Sequence, residues 1–520
     1  MTIVPLEKLP GISALARGLA AKDPAVARFL PDRPERDVVK ARAALVLTRF
    51  RPRTSFDPAL QPFATGALAC VSTGQQAGLF TGPLLTLVKA VAARKLAREL
   101  GLGALFWCAS EDHDLVEVTR VVLPTAAGPK DVGPDPAPLA GNRRPVGAER
   151  IAVDVAALVA AAVNASPSGT AGDTGPLADE LTALSAGKTY LDAFVATLRW
   201  LLDDPAQPIA DAARLGDKPD LVPFAVRLVR ERADVKRILS ERAAALNASG
   251  FPLQVTQDPA ALPLFALVDG ERYVLKETGD RLALKGHPDG HDFEADDVVA
   301  RFESGAWLPS FAALARPVAA SILYPIAASI LGPAEIAYWA QSYPLFEWAG
   351  VVPPVIVPRP MAAVLEPGVK RTLEKLELSF EELLGGTNAV LAARGADRAR
   401  AILEGITRLR AELSTGLTAL RPGLLSIDAT LDKPLDTTRQ NMEFALTKLH
   451  EKATAAAGRA DETLTRQVTK VADALLPEGK LAERLITPLP FVLRLGREGL
   501  VGPLERELRW DVSGLQVIEV

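Results

Sequence analysis

Ala67–Ser72 (ALACVS), Thr73–Pro83 (TGQQAGLFTGP), Leu84–Leu100 and Ala104–Ala109 (ALFWCA) decide the fold of this chain. The first run is short, apolar and ends in small residues, which fits a buried strand. The glycine-rich loop after it opens a segment whose apolar residues, Leu84, Leu87, Val88, Val91, Ala92 and Leu96, recur at helical spacing. Lys89, Arg94, Lys95 and Arg98 fall between them and read as its basic face, and Gly101 and Gly103 stop the helix. Ala104–Ala109 is a second buried strand and runs into Ser110–Asp114 (SEDHD). Strand, loop, helix, strand is the repeating unit of a parallel α/β sheet. Such sheets bind ligands at the carboxyl ends of their strands, where both unusual loops fall.

Working outward, the 520 residues suffice for several structural units or for one large core with insertions. Lysine and arginine number 59 against 63 acidic residues, a net charge of −4. That balance offers no broad field for nucleic acid or an anionic membrane. Two cysteines, Cys70 and Cys108, exclude a disulfide framework and a four-thiolate zinc module, and fit a reducing, cytoplasmic setting. The first ten residues lack the apolar run of a secretory signal. Pro317–Ala334 is strongly apolar, yet three prolines make it a buried strand–turn–helix rather than a membrane span.

Residues 1–60 read as polar helices, and 125–180 as a loose insertion rich in Ala, Gly, Pro and Asp. Thr189–Leu202 and Val222–Asn247 read as helices. Leu253–Val255, Ala266–Val268, Tyr273–Lys276 and Arg281–Leu284 read as short strands, the last two joined by a turn at Thr278–Asp280. Val355–Pro358 is a further buried strand. From Pro367 the composition shifts. Ile402, Ile406, Leu409, Leu413, Leu417, Leu420 and Leu424 follow the steps of a coiled-coil seam, and a looser stripe runs from Leu435 to Leu475. A turn near Asp428–Pro434 makes these an antiparallel helical hairpin, with Pro422 expected to kink its first arm. The expected division is a core over 1–365, with insertions at about 120–185 and 265–310, and a helical coiled-coil domain over 366–520.

Three constellations carry chemistry. In the TGQQAGLFTGP loop, Gly74 and Gly82 let backbone approach a ligand, and Gln75, Gln76 and Thr81 offer neutral donors and acceptors. No Gly-Lys-Ser/Thr follows, and the glycine spacing is wrong for a dinucleotide fingerprint. In Glu111-Asp112-His113-Asp114, three carboxylates and an imidazole crowd one strand end, a cost that suggests use: holding Mg²⁺, binding an ammonium group, or supplying a base through His113. In Gly332–Gln341, Gly-Pro opens a helix on which Glu335, Tyr338 and Gln341 share much of one face. Arg359, just after a strand, is a candidate for phosphate. No protein metal site is expected: His287 and His291 stand in a Gly/Pro loop, and zinc spacing is lacking around His113.

Together, TGQQAGLFTGP, WCASEDHD and GPAEIAYWAQ followed by PLFE resemble the cysteine ligase (cysteine-adding enzyme) family of bacillithiol biosynthesis. The likeness continues through residues 476–496 to Leu515–Val520. It implies a Rossmann-like parallel-sheet core related to class I aminoacyl-tRNA synthetases and nucleotidyltransferases, with inserted connecting segments and a C-terminal antiparallel coiled coil used for homodimerisation. It also implies the last step of the pathway, ligation of the carboxyl of L-cysteine to the amino group of glucosaminyl-malate. Within that reaction, His113, Asp112 and Asp114 would be catalytic. Gly74, Gln75, Gln76, Thr81, Gly82, Glu111, Gly332, Glu335, Tyr338 and Gln341 would bind substrate. Related synthetases form an aminoacyl-adenylate, which makes ATP and Mg²⁺ the expected cofactors. The HxGH signature is absent, Phe80-Thr81-Gly82-Pro83 standing in its place, and no KMSKS loop follows the last strand. Leu331, Ala334, Ala320-Ser321 and Pro263 also depart from the family pattern. Those departures keep two other readings open: a non-catalytic nucleotide- or thiol-binding dimer, and a nucleotidyltransferase acting on another amine. Neither nucleic acid nor membrane is an expected partner.

Overall fold

The computed structural model describes residues 2–55, 57–125, 128–135, 137–139, 141–165, 175–212, 218–395, 400–459 and 462–520. The chain divides into two compact units, Met1–Leu365 with Ala482–Val520, and Glu366–Leu481.

The first unit is built on a five-stranded sheet whose order is Val355–Pro358, Ile326–Leu331, Cys70–Gln75, Gly103–Cys108, Ile209–Asp211. Every pairing in it is parallel. Both faces are covered, so strands such as Ile326–Leu331 are buried at every position. The first two strands of this sheet along the chain, Cys70–Gln75 and Gly103–Cys108, lie side by side, and Ile326–Leu331 returns to the opposite flank of Cys70–Gln75, the reversal of a doubly wound Rossmann-like sheet. Two buried hydroxyls bridge its central strands: Ser72 Oγ lies 2.8 Å from Ser329 Oγ, and Thr73 Oγ1 donates to the Ile330 carbonyl at 2.9 Å. Gly74 has to be glycine, since a Cβ there would stand 2.5 Å from the Trp107 carbonyl of the next strand. The Leu85–Leu100 helix closes on Gly101 in the left-handed conformation (φ 70°), which a glycine adopts without strain.

Residues 120–185 are more ordered than their composition suggests. They hold an antiparallel hairpin, Val122–Thr125 with Gly128–Asp131, and helices Val155–Ala165 and Gly175–Ser185. Val155, Leu158, Val159 and Leu181 join the main core, so alanine-rich composition here marks tight helix packing. Ala126, Ala127 and residues 166–174 of this stretch lie outside the described residues. The second insertion begins earlier than expected, as a five-stranded antiparallel sheet running from Ala261–Val268 through Glu271–Thr278 and Arg281–Leu284 to Asp292–Phe293, with Leu308–Phe311 on its other edge. Leu253–Val255 is not a strand, because the Val255 backbone bonds to the Gln341 side chain instead of a neighbouring strand. The helix read over Val222–Asn247 is two, Lys218–Arg230 and Arg232–Ala248, broken at Glu231.

The expected boundary of 366–520 for the helical part needs correction. Leu515–Glu519 pairs in parallel with Met361–Leu365 and antiparallel with Thr2–Val4. Phe491, Val492, Leu500 and Leu504 of the preceding helix are buried in the main core. Their apolar side chains and the terminal strand return residues 482–520 to the first unit. The second unit contains the antiparallel hairpin, Arg400–Ile427 and Asp432–Arg459, pinned by Arg421 with Asp432 (2.7 Å) and by Arg410 donating to Thr447 Oγ1 (2.8 Å). Leu403 and Ile406 pack against Leu446 and Ala453. Of the seam read from sequence, Ile402, Leu409 and Leu420 are exposed, as are Phe444 and Leu449 on the other arm. Among the described residues no helix is long and apolar enough to cross a membrane.

Candidate functional site

In a doubly wound sheet the strand ends splay apart where the order reverses, here between Cys70–Gln75 and Ile326–Leu331. A cleft of about 440 Å³ opens there, and it collects residues from both motif loops: Gly74, Gln75 and Gln76 on one side, Gly332, Glu335 and Tyr338 on the other. Arg359 also lines it. Further polar residues line it, among them Lys89, Trp107, Glu117, Arg316, Trp339 and Arg484.

Lys89 organises the floor. Its side chain is 2% exposed, and Nζ donates to the Gly74 carbonyl (2.7 Å) and Gln75 Oε1 (3.3 Å) while pairing with Glu335 Oε2 (2.7 Å). Glu335 in turn accepts from the Gly332 N–H at 2.6 Å. One buried cation therefore ties the glutamine loop to the Gly-Pro helix. Burial pushes the Lys89 amine below its usual range, and the Glu335 charge counters that shift. Lys89 does not share the basic face of Arg94, Lys95 and Arg98, because its neighbours at −4, +3, +4 and +7 are Leu85, Ala92, Ala93 and Leu96, all apolar. That spacing was the available signal. Replacing Lys89 by Met strands the Glu335 carboxylate, and since Glu335 keeps some solvent contact the expected loss is about 2–4 kcal/mol by urea denaturation. A loss under about 1 kcal/mol would show that the pair does not hold the floor.

Arg359 is not a free cation. Its guanidinium pairs with Glu483 at 2.7 Å, with side chains 2% and 0% exposed. Arg484 beside it is pushed down by burial and by the Arg359 charge, so positive charge concentrates at this end of the cleft. The Trp107 Nε1–H and Gln76 Oε1 are buried without a hydrogen-bond partner among the described residues, leaving a donor and an acceptor for a ligand. Burial and then Glu335 raise the Tyr338 hydroxyl, which stays protonated.

The acidic cluster divides. Glu111 is turned into the protein, paired with Lys218 and accepting from Ser310 Oγ (3.0 Å). Asp112 stands between two clefts: Gln76 Nε2 donates to its Oδ2 at 3.0 Å, and the His113 N–H to its Oδ1 at 2.8 Å. Burial alone would raise its carboxyl, but Arg316, Arg272 and these hydrogen bonds together hold it below its usual range. Asp114 caps helix Leu115–Thr119, accepting from the Glu117 N–H at 3.1 Å. Its spacing to Glu117 is that of a capping pair, a signal that pointed to Glu117. Glu117 lines the cleft with its carboxyl raised by partial enclosure and by Asp114.

His113 faces a second cleft, of about 510 Å³, which it shares with Asp114, Arg143, Arg272 and Lys285. Arg272 Nη1 lies 3.3 Å from His113 Nδ1, and an arginine can only donate. Nδ1 therefore accepts, and the proton of the neutral ring sits on Nε2. Burial, with Arg272 adding to it, keeps the imidazolium disfavoured against the pull of Asp112 and Asp114. In this arrangement His113 offers a donor, not the free lone pair that a base requires.

Besides Glu111, three expected binding residues lie outside both clefts. Thr81 is fully buried beside Phe80, both at positive φ (72° and 52°), and lines neither cleft; Gly82 (φ 70°) completes that turn beneath the loop. Gln341 is 3% exposed and spends its amide on the Val255 backbone (3.1 and 2.9 Å). His287 stacks edge-on against Tyr273, with ring centroids 4.9 Å apart.

The parallel sheet order, with a polar cleft at its switch point, defines a Rossmann-like protein whose cleft lies where such sheets bind their ligands. The chain belongs to the BshC family: "Bacillithiol biosynthesis BshC, N-terminal Rossmann-like domain" matches residues 47–360, and "Bacillithiol biosynthesis BshC, C-terminal coiled-coil domain" matches 362–507. Three curated relatives carry the name "Putative cysteine ligase BshC". That of Koribacter versatilis is 29% identical over 83% of this chain and 80% of its own. That of Solibacter usitatus is 28% identical over 88% and 86%, and one from Thermus thermophilus is 29% identical over 89% and 91%.

Proposed function

We propose that this protein joins the carboxyl of L-cysteine to the amino group of glucosaminyl-malate, the last step of bacillithiol formation, in the cytoplasm. The observation that carries the reading is the switch-point cleft, where both loops of the family resemblance meet around Lys89. Glu117 and Glu335 give the cleft carboxylates for an ammonium group, and Gln75, Gln76 and Trp107 give it neutral hydrogen bonds. When the acceptor amine attacks the cysteine carbonyl carbon, it sheds a proton. Glu117, whose raised carboxyl is a better proton acceptor than an ordinary one, takes it.

ATP and Mg²⁺ are part of the proposal. Arg316 and Arg484 line the cleft where phosphates would lie, which fits an anionic cofactor. Among the described residues no cluster of three metal-binding side chains is present, so Mg²⁺ would come with the phosphates. ATP, when bound, supplies the leaving group that makes the cysteine carboxyl reactive. We further propose a homodimer through the helical unit, supported by the exposed Ile402, Leu409, Leu420, Phe444 and Leu449.

The test is a mass-spectrometric assay of purified protein with glucosaminyl-malate and cysteine, with and without ATP and Mg²⁺. An ATP-dependent amide product is the expected result. Product without ATP removes the cofactor part, and no product from folded protein removes the ligase reading.

A further inference from the structure

The second cleft, around His113, has no part in the scheme above, yet its charge and hydrogen-bonding groups are arranged for a ligand. Arg143, Arg272 and Lys285 face it against a single carboxylate, Asp114. The Arg272 side chain is 2% exposed and fixed on every side: Nε donates to Ser310 Oγ (2.8 Å), Nη2 to the Phe311 carbonyl (3.1 Å), and the guanidinium carbon lies 3.7 Å from the centre of the Phe265 ring. Its remaining nitrogen sets the His113 ring, so Nε2–H is the free end and has no partner among the described residues. Arg143 is half-buried and is also held in place. Its Nη1 donates to the Lys285 carbonyl (3.2 Å), its guanidinium covers Tyr273 at 5.0 Å, and its carbonyl accepts from the Arg272 N–H (2.9 Å). Gly286 makes room for it, since a Cβ there would come within 2.5 Å of Nη2.

We propose that this cleft binds a small dicarboxylate, with His113 Nε2–H, Arg143 and Lys285 as its direct contacts and Arg272 as the positioning residue. Arginine presents a planar fork that matches a carboxylate, and a rigid neutral N–H adds direction without charge. Asp112, 3.8 Å away, offsets Arg272, whereas Arg143 and Lys285 have no ion-pair partner among the described residues, and two such cations suit a doubly charged ligand better than a polyphosphate. Under the ligase reading the group bound here is the malyl end of the acceptor, and that identification rests on that reading. The binding itself does not.

The full chain has four histidines, so selective ¹⁵N-histidine labelling gives a sparse NMR spectrum in which the His113 signal is the one lost in His113→Gln. Malate and inorganic phosphate are titrated separately at constant ionic strength. Malate is expected to shift the His113 Nε2 resonance, with phosphate binding at least 10-fold more weakly. Lys285→Ala and Arg143→Lys, each checked for an unchanged melting curve, are expected to weaken malate at least 10-fold. No His113 shift with malate, a phosphate affinity equal to or above that of malate, or unchanged malate affinity in both folded variants overturns the proposal. Ligase turnover is measured apart: malate binding without turnover removes the ligase reading alone, and turnover without malate binding removes this inference alone.

Discussion

Glu483→Ala is expected to destabilise the first unit by about 3–5 kcal/mol, because it leaves the Arg359 guanidinium buried without its charge partner. Glu483 is wholly enclosed and uses both oxygens, one on Arg359 at 2.7 Å and the other on the Ala362 N–H at 2.9 Å. Arg359 is held further by its Nη1 bond to the Pro360 carbonyl (3.1 Å) and by its own N–H to the Leu331 carbonyl (2.8 Å). A single carboxylate thus joins the C-terminal segment to the strand ends that form the cleft wall. Removing both charges is a different perturbation from removing one. Arg359→Met with Glu483→Met is expected to cost less than the sum of its single changes by at least about 2 kcal/mol, since neither charge is left stranded. Urea denaturation of the four proteins completes the cycle. An interaction energy below about 0.5 kcal/mol would falsify the claim that this pair holds the wall together.

The same pair shows what the sequence could and could not disclose. The parallel core was legible because its strands are short apolar runs and its first helix keeps a helical period. The loops were legible because polar residues at strand ends have few other uses. Partnership was not legible. Nothing near Arg359 in the chain announces Glu483, which lies far along the sequence, so the arginine reads as a candidate for phosphate when it is one half of a buried pair. Gln341 failed likewise: helical spacing put it beside Glu335 and Tyr338, but its amide was already taken by Val255. Lys89 was misread for the opposite reason. Its charge points to a basic face, but its apolar neighbours bury it. The C-terminal boundary was missed because strand pairing between Leu515–Glu519 and Met361–Leu365 is a long-range choice that no local pattern records.

Asp112→Asn is expected to lower ligase turnover about 100-fold or more, a magnitude typical of misplacing the groups that orient a substrate. The change keeps size and shape, so the loss must come from charge and hydrogen bonding. Asp112 accepts from Gln76 on the switch-point side, and its other oxygen lies 3.8 Å from the Arg272 guanidinium that sets His113. An asparagine amide has one acceptor oxygen and one donor nitrogen in these two places. Whichever way it turns, an N–H faces either the Gln76 amide or the Arg272 guanidinium. One wall of the site must then reorient, while the charges of Arg272 and Arg316 lose the carboxylate that offsets them. Asp114 provides the contrast. It caps a short helix on the exposed rim, so Asp114→Ala is expected to cost about 1 kcal/mol of stability and to retain most turnover. Steady-state rates of the two variants, read beside their unfolding curves, separate the roles. Asp112→Asn with more than a third of normal turnover, or Asp114→Ala as inactive as Asp112→Asn, would show that Asp112 does not position the groups of the two clefts.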